Sequence, residues 1–361
     1  MRAALSKALN SGTVVDGQGG AFAVRGNLEG AENFKGLVNA RLIQLEPDGP
    51  NRRTLAISNA SDFVLENVTV RRGGTGREHP ELKMVNDNGG IFISKCTNFS
   101  VRGLAVGGGG IGSGIAFLYC DNFTADDVSA SDMRYRLDEH PKDDAIQGIW
   151  MARCSKFKLR HAKASDIGGT DKRWAVFDNN RGLAVAGCND FSVEDLDVRR
   201  VGQAVDFSGS GANERFRVIR GVAEDCYSWG FKFANSSITG EVVDAVSRRC
   251  GIGGFVITGP GDASNPLTGD VRFLRCLAED VVGSHPNPSA SYGFATDARQ
   301  IARSYPRGVI FEECVARAGD LHCCMRVGFR NDVPVEMAED RPNRAIRCRV
   351  EGPIEIPYMG F

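Results

Sequence analysis

The sequence predicts an all-β fold: a single-stranded parallel β-helix of about ten to twelve coils, a solenoid closed at its start by a capping helix. Three observations carry this. A gapless repeat runs through the chain, its apolar residues alternate with period two, and Cys and Phe return at fixed places within it.

The elements follow in chain order. Residues 1–50 form the cap and first coils: "RAALSKALN" presents Leu5, Ala8 and Leu9 at helical spacing, and "GTVVDGQGGAFAV" and "LVNARLIQLE" read as strands. A helix here covers a stack end that would otherwise expose strand edges and core. Residues 51–352 hold the repeats. Four align without gaps: "GIFISKCTNFSVRGLAV" from Gly90, "GIAFLYCDNFTADDVSA" from Gly114, "GIWMARCSKFKLRHAKA" from Gly148 and "GLAVAGCNDFSVEDLDV" from Gly182. "LAISNASDFVLENVTV" from Leu55 begins the series, and relaxed copies such as "GFKFANSSITGEVVDAVS" continue it, with insertions falling between units. Each unit carries two or three short alternating runs and no helical period, so helical solenoids are excluded. Residues 353–361 are read as a C-terminal tail. One repeat cannot bury its apolar side alone; stacked coils about 4.8 Å apart share one core.

Eleven cysteines might suggest a disulfide framework or a metal centre. Their register argues for packing instead. Cys96, Cys120, Cys154 and Cys188 share one coil position, Cys226 and Cys250 another, and Cys276, Cys314 and Cys348 a third. Recurrence at one position means inward stacking of small thiols, which are expected to be reduced. Adjacent Cys323 and Cys324 are expected to be free, and no Cys and His group has zinc spacing. Phe63, Phe99, Phe123, Phe157, Phe191 and Phe216 form a second internal ladder.

Bulk composition bounds the partners. The 361 residues are 42% hydrophobic and 25% charged with a formal net charge of −1, and the cations are dispersed. Neither a nucleic-acid groove nor a membrane anchor is expected. The chain has no stretch long and apolar enough for a membrane span, and its start lacks the apolar region of a signal peptide. The expectation is cytoplasmic synthesis, with an extracellular or virion location if the chain is trimmed or phage-derived.

The Gly-led strand, the stacked ladders and the segment "DDAI" at Asp143 to Ile146 together resemble the pectate-lyase-like superfamily. That resemblance implies a right-handed coil and one of several activities: polysaccharide lyase, polygalacturonase-type hydrolase, epimerase or phage tailspike. It also implies a site on the outer face of one parallel sheet, beside the loops that interrupt the repeat. "DDAI" is similar to a stretch of polygalacturonases whose aspartates serve an inverting water, which would make Asp143 and Asp144 the matching pair. The rest of that pattern departs: the coil before gives "GSGIAF", the coil after gives "NNRGLAV" without histidine, and "GFKF" around Lys232 is only a faint echo.

Outward positions narrow the candidates. One column reads Phe92, Ala116, Trp150, Ala184, Asp206, Lys232, Val256, Ala295; the next includes Ser94, Leu118, Ala152, Ser208 and Asp297. Most are small or apolar, which is odd for a solvated face, and Asp206 and Lys232 fall on consecutive coils. Asp144 and Asp178 share a position just ahead of the strand. Glycoside hydrolysis needs two carboxylates, one acid and one base or nucleophile, and Asp143, Asp144, Asp178 and Asp206 supply candidates. Trp150 and Phe92 offer sugar-stacking faces, with Arg181 and Asp297 as polar contacts. The bland alternatives are a polar inserted loop for Asp143 and Asp144, a surface ion pair for Asp206 and Lys232, and exposed positions for His140 and His161.

The leading expectation is therefore a polysaccharide-active glycoside hydrolase that needs no cofactor. A uronic-acid lyase or epimerase using Lys232 or Arg181 as base, with Ca²⁺ as a possible cofactor, is the second. A non-catalytic glycan-binding or receptor-binding β-helix, a homotrimer if tailspike-like, is the third.

Overall fold

A computed structural model describes residues 2–45, 53–73, 89–109, 112–133, 146–167, 180–209, 211–234, 237–257, 268–281, 292–296, 306–317, 323–326, 342–352 and 354–355. Apart from the helix Arg2–Leu9, every described element is a strand, and every strand pairing is parallel. The fold is the right-handed parallel β-helix expected from the repeat. It divides into two compact units, residues 1–184 and 185–361, with the division inside the strand Arg181–Ala186.

In the first unit, sheet I holds the strands Leu28–Gly30, Arg53–Ser58, Gly89–Ser94, Ser113–Leu118 and Gln147–Ala152, each paired to the next. Sheet II carries the longer strands Gly36–Gln44, Val64–Gly73, Thr97–Gly109 and Asp121–Met133. The N-terminal helix buries Leu9 completely. Asn10 ties its end to the first sheet I strand, accepting from the Ala31 amide at 2.8 Å and donating to the Glu29 carbonyl at 2.9 Å.

The second unit repeats the plan. Its sheet I strands are Gln203–Phe207, Trp229–Phe233, Gly253–Ile257, Tyr292–Ala295, Cys323–Arg326 and Ile354–Glu355. Sheet II here is split into two strands per coil, as in Asn213–Ile219 followed by Val222–Glu224. The split falls at a residue in the left-handed region, and this corner recurs as Asp195, Arg220, Asp244, Arg275, Glu313 and Arg347.

Ladders fill the core. Phe63, Phe99, Phe123 and Phe157 stack with centroids 4.7, 4.7 and 5.1 Å apart and planes within 11°. Phe191 and Phe216 continue the motif in the second unit at 5.8 Å. The column stops where Phe216 pairs with Gly240, whose missing Cβ leaves room for the Phe216 ring. The nine described thiols are free; eight are buried and Cys348 is half-buried. Each faces a backbone carbonyl, as Cys154 Sγ does Phe117 O of the preceding coil at 3.2 Å. The side chains of Cys323 and Cys324 lie outside the described residues.

The glycine that leads each repeat has a steric cause. A Cβ on Gly114 would sit 2.5 Å from the Gly148 carbonyl oxygen and 3.0 Å from Ala130 Cβ in sheet II. Gly148 and Gly254 meet the next coil's carbonyl at 2.7 and 2.6 Å in the same way. These positions point into the core, as do Ile91, Ile115 and Ile149 after them, so two successive residues face inward. A Cβ on Gly89 would instead meet the Phe92 ring, which places residues 89 and 92 together on the outer face.

Candidate functional site

The outer face of sheet I matches the column read from the repeat. Ala56, Phe92, Ala116 and Trp150 are in register in the first unit, and Asp206, Lys232, Val256 and Ala295 in the second. Four of its apolar members are not solvated: Phe92, Ala116, Val256 and Ala295 are buried. Trp229, Ile252, Val256, Tyr292 and Ala295 form an apolar cluster of their own, separate from the interior.

Into this apolar face the chain places one ion pair. Lys232 Nζ lies 3.5 Å from Asp206 Oδ1. The Asp206 side chain has no exposed surface and that of Lys232 is 13% exposed, so the pair is not the solvated surface bridge that the alternation allowed. Ser208 Oγ donates to Asp206 Oδ2 at 2.6 Å, and Lys232 Nζ donates to Gln203 Oε1 at 3.4 Å. Strand pairing aligns Asp206 directly with Lys232. Four polar side chains thus converge within one pair of adjacent strands.

Sequence reasoning missed Gln203 and Ser208 as site members. Ser208 follows Asp206 by two residues and shares its face, a signal present in the alternation. Gln203 lies three residues ahead, where strict alternation points inward; the double inward step at the repeat glycine, here Ala204, returns it to the outer face.

In the first unit, Trp150 is half-buried and stacks in register on Ala116, whose small side chain leaves its flank open. Arg181 is half-buried at the start of its strand, its amide bonded to the Ile146 carbonyl at 2.7 Å. Neighbouring Asn180 accepts from the Ile146 amide at 3.1 Å, a buried staple between coils. Phe92 is 1% exposed and lies under the Arg53 guanidinium, 4.6 Å from the ring centroid. Asp143, Asp144, Asp178, Asp297 and His140 lie outside the described residues. His161 sits on a sheet II corner with Nδ1 2.7 Å from Asp126 Oδ1, and this hydrogen bond holds the Asp126 carboxyl below the usual range. Among the described residues no group of three or more His, Cys, Asp or Glu is placed to hold a metal ion.

No family model and no curated protein matches the chain. Solved structures do. The catalytic domain of a GH87 α-1,3-glucanase in complex with nigerose aligns with a TM-score of 0.50 at 10% identity, covering 98% of this chain. The chain spans 63% of that domain's length. The family 28 exopolygalacturonase of Yersinia enterocolitica aligns with a TM-score of 0.52 at 11% identity, covering 98% of this chain and 73% of that one. At such identities the likeness is one of fold. Stacked parallel coils, inward Phe and Cys ladders and these two alignments give the chain the right-handed parallel β-helix fold that those structures share.

Proposed function

We propose that the protein is a carbohydrate-active enzyme that holds a polysaccharide along the outer face of sheet I and hydrolyses a glycosidic bond there. One observation carries this reading: the buried Asp206 and Lys232 pair, with Ser208 and Gln203, on a stretch of the face where Trp229, Val256, Tyr292 and Ala295 are apolar and buried. A solenoid needs no charge at that position, and taking one out of water costs several kcal/mol. Buried, partnered ionisable groups on an outer face are characteristic of sites rather than of folds. The fold neighbours act in the same direction, since one is an α-1,3-glucanase seen with nigerose and another an exopolygalacturonase.

In this reading Asp206 is the ionised carboxylate, base or nucleophile, oriented by Ser208 and by the Lys232 ammonium. The sequence offers Asp143, Asp144 and Asp178 as candidate acids and Trp150 as a candidate sugar-stacking face. Arg181 and Asp297 contact substrate hydroxyls. Lys232 is a weaker candidate for a lyase base, because an ammonium engaged by Asp206 and Gln203 has no lone pair to accept a proton.

The test is incubation with neutral and acidic polysaccharides. Hydrolysis releases reducing ends without the ultraviolet absorbance of an unsaturated uronate. Asp206→Asn is expected to lower turnover at least about a hundredfold, in line with loss of a general acid or base. Full activity in that variant removes Asp206 from the site, and unsaturated products replace hydrolysis with elimination.

A further inference from the structure

On the short strands of sheet II in the second unit, and at the corners that lead into them, one pattern returns on successive coils. Arg220, Val222 and Glu224 are followed by Asp244, Val246 and Arg248, then by Arg275, Leu277 and Glu279, then by Glu313, Val315 and Arg317. Each triplet is a charge, an aliphatic residue and the opposite charge, and the signs reverse at every coil. We infer that this face binds a second copy of the chain, with the two solenoids antiparallel about a two-fold axis.

Strand register turns the triplets into columns. Val222, Val246, Leu277 and Val315 align one above the other, and all four are half-buried. An aliphatic stripe with charge on both sides has the layout of an interface core inside a polar rim. Within the chain the rims are already bonded along the solenoid: Arg275 reaches Asp244 at 2.7 Å and Arg248 reaches Glu279 at 2.9 Å. Those bonds do not exhaust the charges, since the Arg275 and Asp244 side chains stay 48% and 43% exposed. An uncharged partner would strip water from such groups and replace it with nothing. The fitting partner carries the same rows with the signs reversed.

The chain itself supplies those rows. The pattern gains one coil at each end, with Asp195, Asp197 and Arg199 before it and Arg347, Arg349 and Glu351 after it. A two-fold axis that runs along the strands, midway between the Val246 and Leu277 coils, keeps each column opposite its own copy and sets the first coil against the last. Every charge then meets its opposite: Asp195 meets Arg347, Arg199 meets Glu351 and Asp244 meets Arg275, while Val222 meets Val315 and Val246 meets Leu277. The two end coils decide the direction. Their middle residues are Asp197 and Arg349 instead of aliphatic ones, and only antiparallel copies bring these two together; parallel copies would set each against itself. Sliding one copy by a single coil puts like charges face to face, so the register is fixed as well. The arrangement is isologous and closed. The face is roughly 24 Å long and 15 Å wide from coil and residue spacing, at the small end of specific interfaces, which makes the dimer a reversible one.

This association does not depend on any chemistry at sheet I. Sedimentation velocity of the full chain, over a micromolar to millimolar concentration series, tests it. The expected result is a monomer–dimer equilibrium. Leu277→Lys, which puts a charge into the aliphatic stripe, is expected to leave a monomer while the melting temperature is kept. Asp197→Arg and Arg349→Asp are each expected to weaken the dimer at least tenfold, and the double variant to restore it. Strand register puts these two positions five coil steps apart in one chain, about 24 Å, so recovery in the double variant comes only from contact between copies. A monomer at every concentration overturns the interface, as does a dimer left intact by Leu277→Lys or by the single charge changes. Single variants that weaken the dimer without rescue in the double overturn the antiparallel two-fold, and so does a trimer or an assembly that keeps growing with concentration.

Discussion

At the scale of single residues, the buried pair on sheet I makes a stability prediction independent of activity. Removing one member leaves the other buried group without its counter-charge, which costs about 3–5 kcal/mol. Lys232→Met is therefore expected to destabilise strongly, because it strands the fully buried Asp206 carboxylate. Asp206→Asn with Lys232→Met, which replaces both charges, is expected to recover most of the loss. Urea melts of the two singles and the double close the cycle, and a simple sum of the single effects would show that the two groups do not act on each other. Glycines supply a second contrast. Ala at Gly114 would press a methyl to 2.5 Å from the Gly148 carbonyl oxygen, and overpacking of this kind costs about 3 kcal/mol. At Gly19, with φ of +72° and no atom within 4 Å, only the left-handed backbone opposes Ala, at about 1 kcal/mol. Equal losses at the two sites would contradict the close approach as the reason for the repeat glycine.

At the scale of elements, the ladders carry the core. Phe123 lies between Phe99 at 4.7 Å and Phe157 at 5.1 Å, so Phe123→Ala opens a cavity in the middle of a stack. The expected loss is about 3–5 kcal/mol in chemical denaturation. A loss below 1 kcal/mol would mean that the neighbouring rings close over the gap. These ladders were legible because burial selects letters: only a few side chains fit an inward slot on every coil, so Cys and Phe recur at Cys96, Cys120 and Cys154, and at Phe99, Phe123 and Phe157. Corners leave no such signature. The left-handed region is occupied most often by Asn and Asp, as at Asn67 and Asp244, but also by Lys95, Tyr119, Arg153 and Arg220, so no one letter marks a corner. The site was half legible. Alternation placed Asp206 and Lys232 on one face of adjacent coils, but their burial depends on what packs over the outer face, and Gln203 joined them only through the double inward step beside Ala204.

At the scale of the molecule, the two units hold their corners together differently. In the first, neutral amides bridge coils, as Asn67 donates to Asn39 at 3.1 Å and Asn122 to Asn98 at 2.7 Å, with a charged corner where Asp126 meets His161 and Arg160. In the second, corners alternate in sign. Arg220 meets Asp195 at 2.6 and 2.8 Å, Arg275 meets Asp244 at 2.7 and 2.9 Å, and Arg249 meets Asp225 at 2.6 and 3.0 Å. Hydrogen bonds from these arginines hold Asp225 and Asp244 below the usual carboxylate range, and Arg317 and Arg272 do the same for Glu279 and Glu312. A carboxyl whose folded value is depressed adds stability above its unfolded value, about 3.9 for Asp and 4.3 for Glu, and that stability is lost as pH falls through the folded value. Each pair is partly exposed and screened, so the effect belongs to the column rather than to any one bridge. Acid should therefore loosen the second unit first, below about pH 4. Hydrogen exchange by mass spectrometry, corrected for the intrinsic pH dependence, is expected to show residues 213–279 losing protection at a higher pH than residues 64–133. Asp244→Asn should flatten that pH dependence, since one titrating member is gone. Simultaneous loss in both units, or earlier loss in the first, would mean that the alternating corners add nothing to stability.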